Sequence, residues 1–228
     1  MDNQPYGDLN MSGVGSAGGG RYRRVKLEGV GKVNGNVSAD DFRLNGVSTV
    51  RGSVETKSFF ANGKLKVEGD VSADQAEMDG LIDVGGSLTG HEAVLNGYLK
   101  IGGDCEFERL RAAGGFEVGG MLNAGFVDIA LYGQGKAREI GCESIRVRKI
   151  PKSRWKEALR NLFPRWRPEL LTGTIEGDDL DLEHTVASAV RGNRVTIGPG
   201  CRIERVEYRT EYRKHPGAKV GKEWRTGE

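Results

Sequence analysis

The sequence predicts an all-β parallel solenoid with roughly triangular coils of 17 residues, and three observations predict it. Glycines recur at a constant step: Gly29, Gly46, Gly63, Gly80, Gly97 and Gly114 stand 17 residues apart, as do Gly35, Gly52, Gly69, Gly86, Gly103 and Gly120. Apolar residues keep the same step in several independent columns, among them Val33, Val50, Val67, Val84, Ile101 and Val118, and Val37, Val54, Val71, Leu88, Cys105 and Leu122. Within each repeat apolar positions alternate locally, as in Val33-Asn34-Gly35-Asn36-Val37 and Phe42-Arg43-Leu44, and a period of two is the signature of a strand. Strands this short cannot stand alone. Stacking each coil on the next at about 4.8 Å completes their hydrogen bonds, and 17 residues at about 3.3 Å each trace a loop of roughly 55 Å, small enough to be filled by side chains.

Composition agrees. Of 228 residues 36 are glycine and only 6 proline, which excludes collagen and points to many tight corners. Residues 1–23, rich in glycine and serine, read as a disordered tail without the apolar run of a signal peptide or membrane span. The solenoid proper reads from 24 to 147. Asn45-Gly46, Asn62-Gly63, Asp79-Gly80 and Asn96-Gly97 mark a corner that needs positive φ. The second glycine column marks either a tightly packed strand or a further corner. The step slips once, because Leu122, Val127 and Ile129 map onto Ile140, Ile145 and Val147 at 18 residues, with one residue inserted near Tyr132–Gly135.

Residues 148–171 break the pattern. From Arg146 to Arg167 there are nine basic residues and one acidic residue, in a chain whose net charge is only +2. Ser153 is a candidate cap for a short helix from Arg154 to Phe163, ended by Pro164. Trp155, Leu159, Leu162 and Phe163 would share one face, surrounded by Arg154, Lys156, Arg160, Arg165 and Arg167, with Trp166 beside them. Such a basic amphipathic insert suits an anionic membrane surface or a protein partner, or packs on the solenoid. Nucleic acid is the weaker reading. Over 172–208 a shorter β array returns at a step of 15: Ile175, Leu180 and Leu182 are followed by Val190, Val195 and Ile197, then by Cys201, Ile203 and Val206. It either extends the first stack or forms a separate lobe. Residues 209–228 read as a loose charged tail.

Segments such as KVNGNVSADDFRLNG and KVEGDVSADQAEMDG (apolar, any residue, Gly, Asn or Asp, Val, any residue, Ala) resemble the core repeat of the bactofilin family. The resemblance covers about 25–147 and, less closely, 172–206. It implies a right-handed parallel β-helix that polymerises end to end without nucleotide and serves as a scaffold for cell shape, polar localisation or motility structures; the three sparse cysteines fit a reducing cytoplasm, and the basic insert would bring the chain to the inner face of the membrane. Its partners would be further copies of itself or a related bactofilin. The family has one continuous core, and the insert departs from that.

No site for chemistry stands out, and no cofactor or metal is expected. His91, His184 and His215 lie in unrelated contexts, although the rival reading, an acyltransferase of the hexapeptide-repeat type, would need a histidine base. A third reading is an adaptor that does not polymerise and acts through the insert. Gly13-Val14-Gly15 and Gly18–Gly20 lack the Lys-Ser/Thr of a phosphate loop. Asp40-Asp41 and Asp178-Asp179 read as solvated corners. Cys105, Cys142 and Cys201 have no metal-binding spacing, and Cys105 sits in an apolar column as a small hydrophobe. A solenoid exposes unpaired strand groups at its two ends, which template the addition of another chain. The sequence places Val25, Leu27 and Val33 at one end and Ile197, Ile203 and Val206 at the other.

Overall fold

Apolar residues at alternate positions give each short strand one face to bury, and only a copy of the same pattern above and below can bury it. The computed structural model, which describes residues 6–150 and 167–227, has that arrangement: an all-β, right-handed parallel β-helix, with no helix among the described residues. Its strands are β1 (Leu9–Arg51), β2 (Val54–Val67), β3 (Val71–Val84), β4 (Leu88–Ile101), β5 (Cys105–Lys149), β6 (Leu170–Leu182), β7 (Thr185–Ile197), β8 (Arg202–Lys214) and β9 (Lys219–Arg225). The chain forms two compact units, residues 1–109 and 110–228.

In the first unit β1, β2, β3 and β4 pair in parallel at a constant step of 17, Val37↔Val54, Val54↔Val71 and Val71↔Leu88. Like therefore stacks on like. The coil of β2 turns Val54, Thr56, Phe59, Ala61, Leu65 and Val67 inward, all buried. Sizes compensate between columns. Phe42 and Phe59 stack with ring centroids 5.1 Å apart, and where that column shrinks to Ala76 and Ala93 its neighbour grows from Ala61 to Met78 and Leu95. Buried Thr56 is satisfied by donating to the Ser58 carbonyl at 3.0 Å.

Both glycine columns are corners, for different reasons. Gly46, Gly63, Gly80 and Gly97 adopt φ between 115° and 136°, and a Cβ on any of them would overlap the carbonyl oxygen of the glycine one coil earlier. In the second column Gly35 has positive φ but Gly52, Gly69, Gly86 and Gly103 do not. There close approach excludes a side chain: a Cβ on Gly69 would lie 2.9 Å from the carbonyl carbon of Gly52. The chain bends at this corner, and the following residue supplies the bond the bend leaves open. Asn36 Oδ1 accepts from the Ser53 N–H at 2.9 Å, Ser53 Oγ from Asp70 N–H at 3.1 Å, Asp70 Oδ1 from Ser87 N–H at 2.8 Å, and Ser87 Oγ from Asp104 N–H at 3.1 Å. Each coil thus satisfies a backbone donor of the next.

The second unit stacks just as directly across the break in the sequence pattern. Ile140 pairs with Ile175, Ile145 with Leu180 and Val147 with Leu182, so β6 lies in parallel register on the last coil of β5. The β array after the insert extends the stack beneath β5 and is no separate lobe. The step of 15 holds from β6 to β7, Ile175↔Val190 and Leu182↔Ile197. A bulge between Gly192 and Arg194 lengthens the next coil. The boundaries of the insert tighten, because Arg148 and Lys149 still belong to β5 and β6 resumes at Leu170. The expected helix from Arg154 to Phe163 lies outside the described residues.

Two expectations about the ends are corrected. Residues 9–23 belong to β1 and are not a disordered tail, and most of 209–228 lies in β8 and β9. The reason is the same at both ends. A terminal coil needs only one paired neighbour to hold its backbone, so it tolerates a composition too polar or too small to build a core. Arg23 N–H donates to Gly7 C=O at 3.1 Å, Lys219 N–H to Cys201 C=O at 2.9 Å, and Thr226 N–H to Tyr208 C=O at 2.8 Å.

Candidate assembly surfaces

The first surface is the N-terminal coil of the first unit. Leu9 to Gly20 contains no charged residue and no side chain larger than methionine. Its inner edge lies on the next coil: Gly13 backs onto Gly29, Gly19 onto Gly35 and Asn36, and the Met11 sulfur reaches into the space that Gly31 leaves by lacking a Cβ. Asp8 ties the coil down through a two-point pair with Arg23, at 2.7 and 2.9 Å, which holds the Asp8 carboxyl below its usual range. Arg21 lies 4.6 Å over the Tyr6 ring. On the outer side Leu9 and Met11 are only half-buried and Val14 is 87% exposed. Among the described residues no strand precedes this edge.

Val25, Leu27 and Val33 therefore do not form an end. They are at most 1% exposed because the coil of residues 9–23 covers them. The sequence did carry a signal for this extra coil, since Gly13 and Gly19 precede Gly29 and Gly35 by 16 residues, one fewer than the main step.

The C-terminal edge of the second unit has the opposite character. Ile203 pairs with Val220 and Val206 with Glu223, and Ile197 pairs with Lys214. Ile197, Ile203 and Val206 are thus buried inside the stack and are not its end. The outermost strand, β9, carries Lys219, Lys222, Glu223 and Arg225. Glu223 accepts from Tyr212 Oη and from Lys214 Nζ, each at 2.7 Å. Beside these charges Trp224 is 41% exposed, so the edge also presents an apolar side chain.

A surface groove of about 1040 Å³ runs along the second unit, lined among others by Glu143, Glu176, Asp178, Arg191, Glu207 and Arg209. Arg191 bridges Glu207 at 3.3 Å and Glu176 at 3.7 Å, so much of its charge is matched internally. Of the insert residues, Arg167 is exposed, while Arg154, Trp155, Lys156, Leu159, Arg160, Phe163, Arg165 and Trp166 lie outside the described residues.

Groups considered for chemistry are not drawn together. His91 lies in the first unit and is exposed, as is His215 in the second. His184, half-buried, is among the described residues the non-glycine residue with positive φ (47°), at a corner where burial pushes its pKa down. Asp40 pairs with Lys57, Asp41 with Arg24 and Arg43, and Asp179 with Arg194. Among the described residues no group of three or more His, Cys, Asp or Glu is placed to hold a metal ion. Burial raises the Cys105 thiol from 9.0 to about 12, and burial with the Asp178 charge does the same for Cys142. Folding therefore favours the neutral thiols, and that contribution is present below pH 9 and lost as pH climbs toward 12. At pH 8 the Cys105 thiolate is depleted roughly a thousandfold, so iodoacetamide followed by mass spectrometry is expected to leave Cys105 unmodified in the native chain and to label it in urea.

Two proteins of Bacillus subtilis (strain 168), both described as uncharacterized, are similar along almost their whole length. YhbE is 51% identical over 230 aligned residues, covering 93% of this chain and 95% of YhbE. YhbF is 42% identical over 238, covering 96% and 97%. No family model matches the chain, and no solved structure matches it.

Proposed function

We propose that this chain, which belongs to the family of YhbE and YhbF, is a non-enzymatic, self-assembling scaffold of the bactofilin type that polymerises end to end without nucleotide. The observation that carries the reading is the N-terminal coil. It offers a strand edge without charge, over half-buried Leu9 and Met11, on a stack whose coils are joined by backbone pairing that a further copy can continue. The resemblance of the 17-residue repeat to bactofilins points the same way. It also supports a role in cell shape, localisation or motility structures and co-assembly with a related chain, while the sparse cysteines and the basic insert fit a cytoplasmic place near the membrane.

Negative-stain microscopy of the purified chain across concentrations, without nucleotide, tests the proposal. Filaments are expected for the parental chain. The Leu9→Glu, Met11→Glu double variant is expected to abolish them, since it places two charges at the joining edge, while the far-ultraviolet dichroism stays that of a β protein. Filaments that persist in this variant, or a parental chain that stays single at every concentration, would refute the reading.

A further inference from the structure

Beyond assembly, one flat face of the first unit carries an unmatched combination of apolar and basic side chains. Outward positions after the corner glycine form two adjacent columns. Val47, Lys64, Leu81 and Tyr98 are register partners, and so are Thr49, Lys66, Asp83 and Lys100. Val30 and Lys32 precede them by one coil. Val30, Val47 and Leu81 are 51%, 46% and 49% exposed, in a fold that buries its other aliphatic columns. Lys32, Lys64, Lys66 and Lys100 are exposed, and among the described residues none of them is in an ion pair. Elsewhere in this unit Arg23, Arg24, Lys26, Arg43 and Lys57 each have a carboxylate partner, whereas Arg51 and Arg109 are in no ion pair among the described residues. The outward face that follows Val37 is instead acidic, with Asp40, Glu55, Asp74, Glu106 and Glu108 against Lys57.

We infer that the face bearing Val30, Val47 and Leu81 beside Lys32, Lys64, Lys66 and Lys100 docks on an anionic lipid surface. Aliphatic side chains enter the headgroup boundary while neighbouring lysines, stretched along the same plane, meet lipid phosphates. Charge selects this occupant, because the face presents four unneutralised ammonium groups against one aspartate. Area argues against a second copy. Five coils at about 4.8 Å and five residues at about 3.3 Å give roughly 400 Å². That is about half of what each partner contributes to a standard protein interface. A lipid surface sets no such threshold, and many copies in one polymer would add their weak contacts.

The test is co-sedimentation of the full chain with vesicles of phosphatidylglycerol in phosphatidylcholine, against phosphatidylcholine alone, at low salt. Binding is expected only to the anionic vesicles. Each lysine near such a surface is worth roughly fivefold in partition, so Lys64→Glu with Lys66→Glu is expected to lower it by more than about 25-fold. Val47→Thr with Leu81→Thr is expected to lower it several-fold. Both pairs are outward and leave the dichroism and melting temperature near those of the parent. Arg154→Glu with Lys156→Glu, in the insert, is expected to retain most of the binding. Equal binding to neutral vesicles, no binding by the parent, or loss in the insert variant but not in the face variants would overturn the inference. So would lysine variants that keep lipid binding but form smaller assemblies, since that assigns the face to a second copy.

Discussion

Replacing Gly63 with alanine is expected to destabilise the chain by more than about 3 kcal/mol, and to leave little folded protein if overall stability is ordinary for a domain. Two causes add. Gly63 has φ of 117°, a region an L side chain resists, and its Cβ would overlap the Gly46 carbonyl oxygen. Relief by backbone movement is blocked, because Gly46 is packed in the same way on Gly29 and Gly80 on Gly63. The clash cannot be absorbed without moving a whole column. Urea unfolding followed by dichroism measures the loss, and Gly18→Ala is the control: nothing lies within 4 Å of a Cβ there and φ is unremarkable, so its midpoint should stay within about 0.5 kcal/mol of the parent. A Gly63→Ala chain as stable as the parent would show that the corner column is not held by backbone contact.

Phe59→Ala is expected to cost about 3–5 kcal/mol, the usual range for emptying a buried aromatic site. Phe59 is 1% exposed and stacks on Phe42 with an interplanar angle of 9°. The site cannot collapse easily, since the coil on either side fixes the backbone at strand spacing. Phe59→Leu, which keeps most of the volume, should recover more than half of the loss. The comparison of the two urea midpoints separates cavity formation from a general intolerance of substitution at this position.

Much of the fold could be read from residues alone because a solenoid repeats its own environment. Val37, Val54, Val71 and Leu88 meet the same neighbours in each coil, so the sequence repeats wherever the packing does, and register follows from spacing. The same logic carried the step of 15 from Ile175 to Val190 across to the structure. It failed at the ends. The composition of residues 1–23, dominated by Gly and Ser, suggests a loose tail, and the charge of 209–228 suggests another. Both judgements rest on the idea that order requires a buried core, whereas a terminal coil is ordered by hydrogen bonds to one neighbour. The misplacement of Val25, Leu27, Val33, Ile197, Ile203 and Val206 follows from that single error. The function of the second glycine column was illegible for another reason: Gly69 and Gly86 are required by close approach across coils, which leaves no trace in φ and no Asn-Gly or Asp-Gly signal. The insert hid the continuity of the second unit, since sequence spacing breaks where the chain leaves a corner, although the strands on either side remain partners.

The acceptors Asn36, Ser53, Asp70 and Ser87, each serving a donor in the following coil, have a consequence for how such a chain can change in length. Each coil of the first unit takes from its predecessor and gives to its successor the same thing, so a duplicated or deleted 17-residue segment leaves every junction as it was. A gain of one residue between an acceptor and its donor does not, because it offsets the two. Changes in the length of this unit are therefore expected in whole coils, which alter how many coils it has while each coil keeps its outline.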